Sequence, residues 1–260
     1  MKSVAWNPSQ YLKFAESRLR PAADLLARVT LAAPRNIYDL GCGTGNATRM
    51  IKARWPEAAV TGVDNSAEML AQAAQDSGEI SWQQLNLADW DPEHPADLIF
   101  SNAALHWLPN HAQLFPTLMA KLAAGGMLAV QMPRNFNSPS HTLIVETVQN
   151  GPWHARLAHL LGPPPVGEPQ HYYALLEPHA SRIEIWETEY LEVLEGANPV
   201  KEWLKGTWLK PFLDQLDPTE RPAFEANYAH RVSQAYPKRP DGKTLFPFKR
   251  LFLVVQKAAR

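Results

Sequence analysis

The sequence predicts an α/β protein whose core is a doubly wound, mostly parallel sheet of seven strands. Strand-length apolar runs alternate with helix-length amphipathic segments between residues 36 and 132, which is the alternation that builds a parallel sheet. The first run ends in an acid and three closely spaced glycines, and the second ends in another acid. Two later strand-like runs, 182–194 and 248–256, predict an antiparallel C-terminal edge.

The elements of the parallel half are placed from their boundary residues. Pro21 suits the first turn of a helix, where a fixed φ and a missing N–H are tolerated, so a helix over 14–19 is expected to give way to a second one at Pro21. Ser66 is a good N-cap for the helix after the second strand. The predicted strands are 36–40, 59–63, 80–85, 96–101 and 127–132, with helices at 46–54 and 114–122 among those between them.

Beyond residue 132 the simple alternation ends. A helix is predicted over 138–149, and residues 150–180 are irregular and rich in Pro, His and Tyr. We therefore predict a Rossmann-like core over 1–134 and helical cap insertions over 135–181 and 195–245. The antiparallel strands, within 182–194 and 246–260, are expected to complete the core sheet.

Composition favours a small-molecule partner. The chain has 260 residues, a net charge of -1 and a pI of about 6.8, so it has no bulk attraction for nucleic acid or an anionic membrane. We expect no membrane span, because no run approaches the ~18 apolar residues that a span needs, and no apolar signal region. The single cysteine, Cys42, excludes an intrachain disulfide and favours a reducing, cytoplasmic setting. The sequence leaves the oligomeric state open.

The glycine-rich turn indicates which ligand the sheet binds. Residues 39–45 read D-x-G-x-G-x-G, not the G-x-G-x-x-G of dinucleotide sites. The carboxylate of Asp39 suits an ammonium better than a pyrophosphate, which needs N–H donors without a nearby negative charge. S-adenosylmethionine carries an ammonium, a sulfonium and a ribose. With Asp64 closing the next strand, the pattern resembles the first two motifs of class I methyltransferases; a turn without a ligand and a nicotinamide or flavin site are the alternatives.

This resemblance implies a set of cofactor contacts. We expect them in one crevice, because the carboxyl ends of parallel strands meet there. Asp39 and Gly41 are expected at the methionine end and Asp64 at the ribose, while Asn86 stands where many such enzymes have an aspartate facing the adenine. His106 is a weak candidate for a general base, against an ordinary histidine at a helix start. The expected cofactor residues are Tyr11, Arg20, Asp39, Gly41, Cys42, Gly43, Gly45, Asp64, Asn65, Met69, Asn86, Leu87, Asn102 and Trp107.

Motifs along the rest of the chain resemble the trans-aconitate 2-methyltransferases. They are the Trp-Asn-Pro segment at 6–8, the glycine turn, and the segments 102–111, 114–116, 130–135, 171–173 and 246–252. The resemblance implies methyl transfer from S-adenosylmethionine to a carboxylate of trans-aconitate or a similar small polycarboxylic acid. The products would be a monomethyl ester and S-adenosylhomocysteine, with no metal involved.

A carboxylate substrate asks for positioning rather than for a base, because it is already ionised at neutral pH. Cations and phenolic donors should pair its other carboxylates. The expected substrate residues are Arg134, His171, Tyr172, Tyr173, Trp208, Lys210, Lys249 and Arg250. The alternatives are the same fold acting on another acid, a ring carbon or an amine, and a non-catalytic protein that binds S-adenosylmethionine.

Overall fold

The structure is a computed structural model that describes residues 15–76 and 78–259. Its helices are α1 (Ala15–Ala27), α2 (Asn46–Arg54), α3 (Ala67–Ala73), α4 (His111–Lys121), α5 (Pro139–Asn150), α6 (His154–Leu157), α7 (Pro169–Leu176), α8 (Pro199–Lys205), α9 (Lys210–Gln215) and α10 (Arg221–Ala235). Its strands are β1 (Asn36–Leu40), β2 (Ala59–Asp64), β3 (Ile80–Gln84), β4 (Ala96–Asn102), β5 (Leu122–Pro133), β6 (Ala180–Leu194) and β7 (Thr244–Lys257).

The seven strands form one sheet in the order β3-β2-β1-β4-β5-β7-β6. Strands β1 to β5 pair in parallel, and β7 pairs antiparallel with β5. The order reverses direction between β1 and β4, and such a reversal is where ligands bind in open α/β sheets. The predicted fold class is confirmed, and the predicted strands fall within a few residues of the observed ones.

The chain divides into two compact units. The first contains 134–164 and 189–249 of the described residues, and the second contains 15–133, 165–188 and 250–259. The core of the second unit is the sheet itself, where Leu98, Ile99 and Phe100 of β4 are completely buried, as central parallel strands require. The segment 165–181, which the sequence predicts to be part of the cap, groups with this unit.

The first unit has its own apolar core. It is built from helices α5, α6, α8, α9 and α10, together with the end of β6 and the start of β7. Trp153 packs edge-on against Phe224 at 5.1 Å between ring centres. The hydroxyl of Tyr228 donates to the Ser140 carbonyl at 2.8 Å, which ties α10 to the start of α5. The helices predicted after residue 135 therefore contribute to an apolar core of their own unit.

One predicted boundary is wrong. Helix α1 runs without interruption from Ala15 to Ala27 with Pro21 inside it, so Pro21 does not begin a second helix. Its burial together with Ala22, Leu25 and Leu26 shows that packing of this face outweighs the hydrogen bond that a proline removes. Within the described part of the chain, no helix has the length and apolar character needed to cross a membrane.

Candidate active site

The glycine turn after β1 is held against β2 by the backbone. The N–H groups of Gly41 and Cys42 both donate to the carbonyl of Val63, at 2.8 and 3.1 Å. Gly41, Gly43 and Gly45 have φ angles of 78°, 54° and 79°, a left-handed conformation that side chains other than glycine rarely adopt. A Cβ added to Gly41 would lie 2.1 Å from the Cβ of Ala104, so the ends of β1 and β4 meet here.

The middle glycine faces open space. A Cβ built on Gly43 meets no described atom within 4 Å, and its N–H donates to Asp64 Oδ2 at 2.8 Å. The other oxygen of Asp64 accepts from the Ser66 N–H at 2.9 Å. Asp64 therefore links the glycine turn to the start of α3, and each carboxylate oxygen keeps a further lone pair for a ligand hydroxyl.

Asp39 is a buried carboxyl group directly beneath this turn. It is 1% exposed and accepts a 2.6 Å hydrogen bond from the hydroxyl of Thr48 on α2. Burial, aided by the nearby charge of Asp64 and opposed by the Thr48 hydrogen bond, raises the pKa of Asp39 to about 7. A carboxylate in this state gains strongly from a cationic partner, because an opposite charge restores its ionised form.

The ends of β2 and β3 carry four of the predicted cofactor residues. Asn65 is exposed, and Met69 is buried in α3, whose start is capped by the Ser66 hydroxyl accepting from the Met69 N–H at 3.3 Å. The side-chain oxygen of Asn86 accepts from the Ala88 N–H at 3.2 Å and caps a short 3-10 turn. Leu87 in that turn has its Cδ1 3.6 Å from the position of a Cβ on Gly41.

The end of β4 brings a strained turn to the same edge. Ala103 has a φ of 55°, a conformation that costs an alanine about 1–2 kcal/mol. Beside it, Asn102 has a buried Oδ1 with no hydrogen-bond partner among residues 15–76 and 78–259. His106 is buried, and its ring centre lies 4.7 Å from that of Trp107, which is 36% exposed. Strain and an unpartnered polar atom at a strand end are typical of a ligand site.

Two other predicted cofactor residues differ in their exposure to solvent. Arg20 on α1 is exposed. Cys42 is buried within the glycine turn, and burial raises the pKa of its thiol, so the group stays uncharged there. Tyr11 lies outside the described residues.

The substrate candidates of the second unit differ from one another. Tyr172 is completely buried; its hydroxyl lies 2.7 Å from His111 Nδ1 and accepts from the Gly167 N–H at 3.2 Å. Since His111 Nε2 lies 3.0 Å from the Leu105 carbonyl, Tyr172 holds the loop after β4 in place. His171 and Tyr173 are exposed, and Arg250 on β7 is 4% exposed.

The remaining substrate candidates belong to the first unit. Trp208 packs edge-on against Phe136 at 4.9 Å between ring centres. Lys210 pairs with Asp214 at 2.7 Å on the same helix. Arg134 and Lys249 are partly buried and adjacent, since the Arg134 N–H donates to the Lys249 carbonyl at 2.9 Å.

Comparison with known proteins finds a domain within the chain and relatives that match nearly its full length. Residues 37–126 match the family model of a methyltransferase domain. A trans-aconitate 2-methyltransferase from Azoarcus sp. is 50% identical over 96% of this chain and 98% of its own. Another, from Methylobacterium nodulans, is 47% identical over 97% of this chain and 98% of its own. The chain belongs to the trans-aconitate 2-methyltransferase family.

Membership of this family makes the protein an S-adenosylmethionine-dependent methyltransferase, which confirms the enzyme class and cofactor expected from the sequence. The fold agrees. Phosphoethanolamine N-methyltransferase 2 from Haemonchus contortus, solved in complex with S-adenosyl-L-methionine, superposes with a TM-score of 0.54 at 15% identity. That superposition covers 92% of this chain and 52% of the other. Among the described residues, no cluster of three or more His, Cys, Asp or Glu is placed to hold a metal ion.

Three further residues of this methyltransferase were missed as site candidates. Trp82 on β3 covers Gly45 and Gly62, whose added Cβ atoms would lie 2.4 and 2.5 Å from its ring. Gln131 and Asn135 are buried amides with unpartnered atoms in the described structure. The signal for Gln131 and Asn135 was a polar residue inside or just after an apolar strand, but sequence alone does not say whether the fold satisfies such a group.

Proposed function

We propose that this protein transfers a methyl group from S-adenosylmethionine to a carboxylate oxygen of trans-aconitate and releases a monomethyl ester. The observation that carries the proposal is identity of 50% over nearly the whole length of a protein with that name. Coverage of both chains matters here, because the substrate residues we propose lie largely outside the methyltransferase domain at 37–126.

The glycine turn fits the cofactor on the structure's own terms. Gly43 presents bare backbone to open space, and Asp64 beside it suits the two hydroxyls of a ribose. Asp39, Gly41 and the rest of the turn would hold the methionine end. The ammonium of the cofactor would then be a positively charged partner for the buried carboxyl of Asp39. Asn65, Met69, Asn86 and Leu87 would surround the adenine.

The reaction needs little chemical help from the protein. When bound, S-adenosylmethionine supplies an electrophilic methyl group, which an acid oxygen accepts in line while the C–S electron pair returns to sulfur. The acceptor is ionised at neutral pH, so no side chain has to remove a proton. We therefore assign His106 to the wall of the site. What the chain contributes is orientation of the acid and exclusion of water.

Binding of a tricarboxylate requires cations that face it. Arg250 is the strongest candidate, because its side chain is 4% exposed on β7 and contacts the buried amide of Gln131 on β5. Arg134, Lys249, Lys210, Trp208, His171 and Tyr173 remain proposed substrate contacts. For Tyr172 we propose a positioning role through His111, because its hydroxyl already donates and accepts within the fold.

The test is turnover of S-adenosylmethionine to S-adenosylhomocysteine with a panel of di- and tricarboxylic acids, with esters detected by mass. We expect a monomethyl ester from trans-aconitate and little product from cis-aconitate or citrate. Cofactor binding without turnover on any acid would refute the proposal. It would favour another acceptor, such as a ring carbon or an amine, or a non-catalytic binding protein.

The proposal also covers the cellular location of the enzyme and the class of its partner. The single cysteine is a buried free thiol, which suits a reducing compartment, and the net charge of -1 offers no attraction to nucleic acid. We propose a cytoplasmic enzyme whose partner is a small polycarboxylate. Cell fractionation with an antibody to the protein would test the location.

A further inference from the structure

We propose that Gln131, together with Arg250, binds one carboxylate of the acid and so decides which carboxylate faces the methyl donor. The inference rests on the function proposed above and adds a residue that sets substrate specificity. Gln131 lies on β5, is completely buried, and has an unpartnered Nε2 in the described structure.

The orientation of the Gln131 amide is determined by its neighbour. Arg250 Nη1 lies 3.4 Å from the side-chain oxygen of Gln131. A guanidinium has donors and no acceptor, so the atom facing Arg250 must be the amide oxygen. The NH₂ group of Gln131 is therefore not the group that contacts Arg250, and its Nε2 has no partner in the described structure. A buried amide donor without a partner is uncommon in proteins and costs stability, which indicates a ligand rather than a purely structural role.

Strand register puts these groups on one face of the sheet. Asn102 on β4 pairs with Gln131 on β5, which pairs with Phe252 on β7, and Arg250 pairs with Pro133 two residues further along. Paired residues in neighbouring strands project to the same face, as do residues two apart in one strand. Asn102, Gln131 and Arg250 therefore form a row across three adjacent strands.

The chemistry of this row suits a carboxylate. Arg250 brings a positive charge, and Gln131 brings a neutral N–H donor beside it, so the two oxygens of one carboxylate find one donor each. Asn102, at the other end of the row, stands at the strand end that also carries the cofactor residues. A carboxylate held between Gln131 and Arg250 directs another carboxylate of the same acid towards Asn102, where the methyl group is delivered.

The experiment uses the full chain saturated with S-adenosylhomocysteine, so that binding of trans-aconitate is measured by calorimetry without turnover. Gln131→Met keeps the length of the side chain and removes its amide. Gln131→Glu places a negative charge against Arg250 and repels the acid. We expect Gln131→Met to weaken binding roughly ten- to hundredfold, the value of a hydrogen bond to a charged group, and Gln131→Glu to weaken it more. Affinity for S-adenosylhomocysteine itself should stay within about twofold of the parent.

The matched control is Gln256→Met. Gln256 lies on β7 near the opposite end of the pairing with β5, and its amide donates to the Gly125 carbonyl at 3.1 Å. Its substitution should leave the affinity for trans-aconitate unchanged. Three dicarboxylates, each lacking a different carboxylate of the substrate, identify the contact, since Gln131→Met should weaken two of them and leave the third unchanged.

Two results distinguish this inference from the proposed function. If the parent protein methylates trans-aconitate and both Gln131 variants bind it like the parent, Gln131 does not contact the substrate and the function stands. If the parent neither binds nor methylates any acid of the panel, the function and this inference both fail. An equal loss in Gln256→Met, or an equal loss for all three dicarboxylates, would also overturn the inference.

Discussion

Binding of S-adenosylmethionine should depend on pH through the carboxyl group of Asp39. Its pKa of about 7 in the ligand-free protein arises mainly from burial, and the cofactor's ammonium favours the ionised form. The ammonium has an ordinary pKa near 8, so below pH 7 mainly Asp39 titrates in this pair. The ionised fraction then predicts that affinity falls about fivefold from pH 7 to pH 6 and about ninefold more to pH 5.

The assay is isothermal titration calorimetry at each pH in two buffers of different ionisation enthalpy. Binding at pH 6 should release roughly 0.9 proton per cofactor, because most Asp39 carboxyls are protonated beforehand. Asp39→Asn should remove both the proton release and the pH dependence, and should weaken binding at every pH. Thr48→Val deletes the hydrogen bond that holds the Asp39 pKa down, so it should move the whole profile to higher pH.

The effect on stability has the opposite sign to the effect on binding. The pKa of Asp39 is higher in the folded protein than in the unfolded chain. Its contribution to the free energy of unfolding is therefore complete below the ordinary carboxyl pKa and is lost as the pH rises through about 7. Asp39→Asn should therefore raise the free energy of unfolding at pH 8 relative to the parent. Proton release that persists in Asp39→Asn, or a parent affinity that does not change between pH 5 and 7, would refute the reasoning.

Four other perturbations have defined outcomes. Gly41→Ala should destabilise the fold by several kcal/mol in urea unfolding, because the new Cβ would lie 2.1 Å from Ala104. Gly43→Ala should cost about 1–2 kcal/mol for its left-handed φ, yet abolish measurable cofactor binding, since its Cβ enters the open space. His141, whose pKa burial lowers to about 3, should cost about 1.4 kcal/mol of stability per pH unit below pH 6.5, a slope that His141→Gln removes. His106→Gln should keep methylation of trans-aconitate within about tenfold of the parent, because a carboxylate acceptor needs no base.

Each of these outcomes has a counterpart that would contradict it. Equal stability losses in Gly41→Ala and Gly43→Ala would mean that the clash with Ala104 does not govern the turn. A parent and a His141→Gln variant with parallel stability curves from pH 7 to pH 5 would show that this histidine is protonated in the fold. Loss of all turnover in His106→Gln, with cofactor binding retained, would point to an acceptor that must be deprotonated.

Sequence reasoning succeeded where local chemistry decides the structure. Strand β1 and helix α2 have the predicted limits, Asn36–Leu40 and Asn46–Arg54, because an apolar run, an acid and three glycines permit few conformations. The proposed position of the site rests on the same reasoning, since the carboxyl ends of all parallel strands lie at one edge of the sheet. Membership of the methyltransferase family rested on motifs that the chain carries in its linear order.

Tertiary structure decided what depends on residues distant in sequence. Arg250 and Gln131 are 119 residues apart and meet because β7 returns antiparallel beside β5. The position of Pro21 within a helix, and the contacts of the Tyr172 hydroxyl with His111 and Gly167, likewise depend on neighbours that no local pattern reveals. A sequence shows which side chains can donate or accept. Only the folded chain shows which of those groups it satisfies itself and which, like the amide of Gln131, it leaves for a ligand.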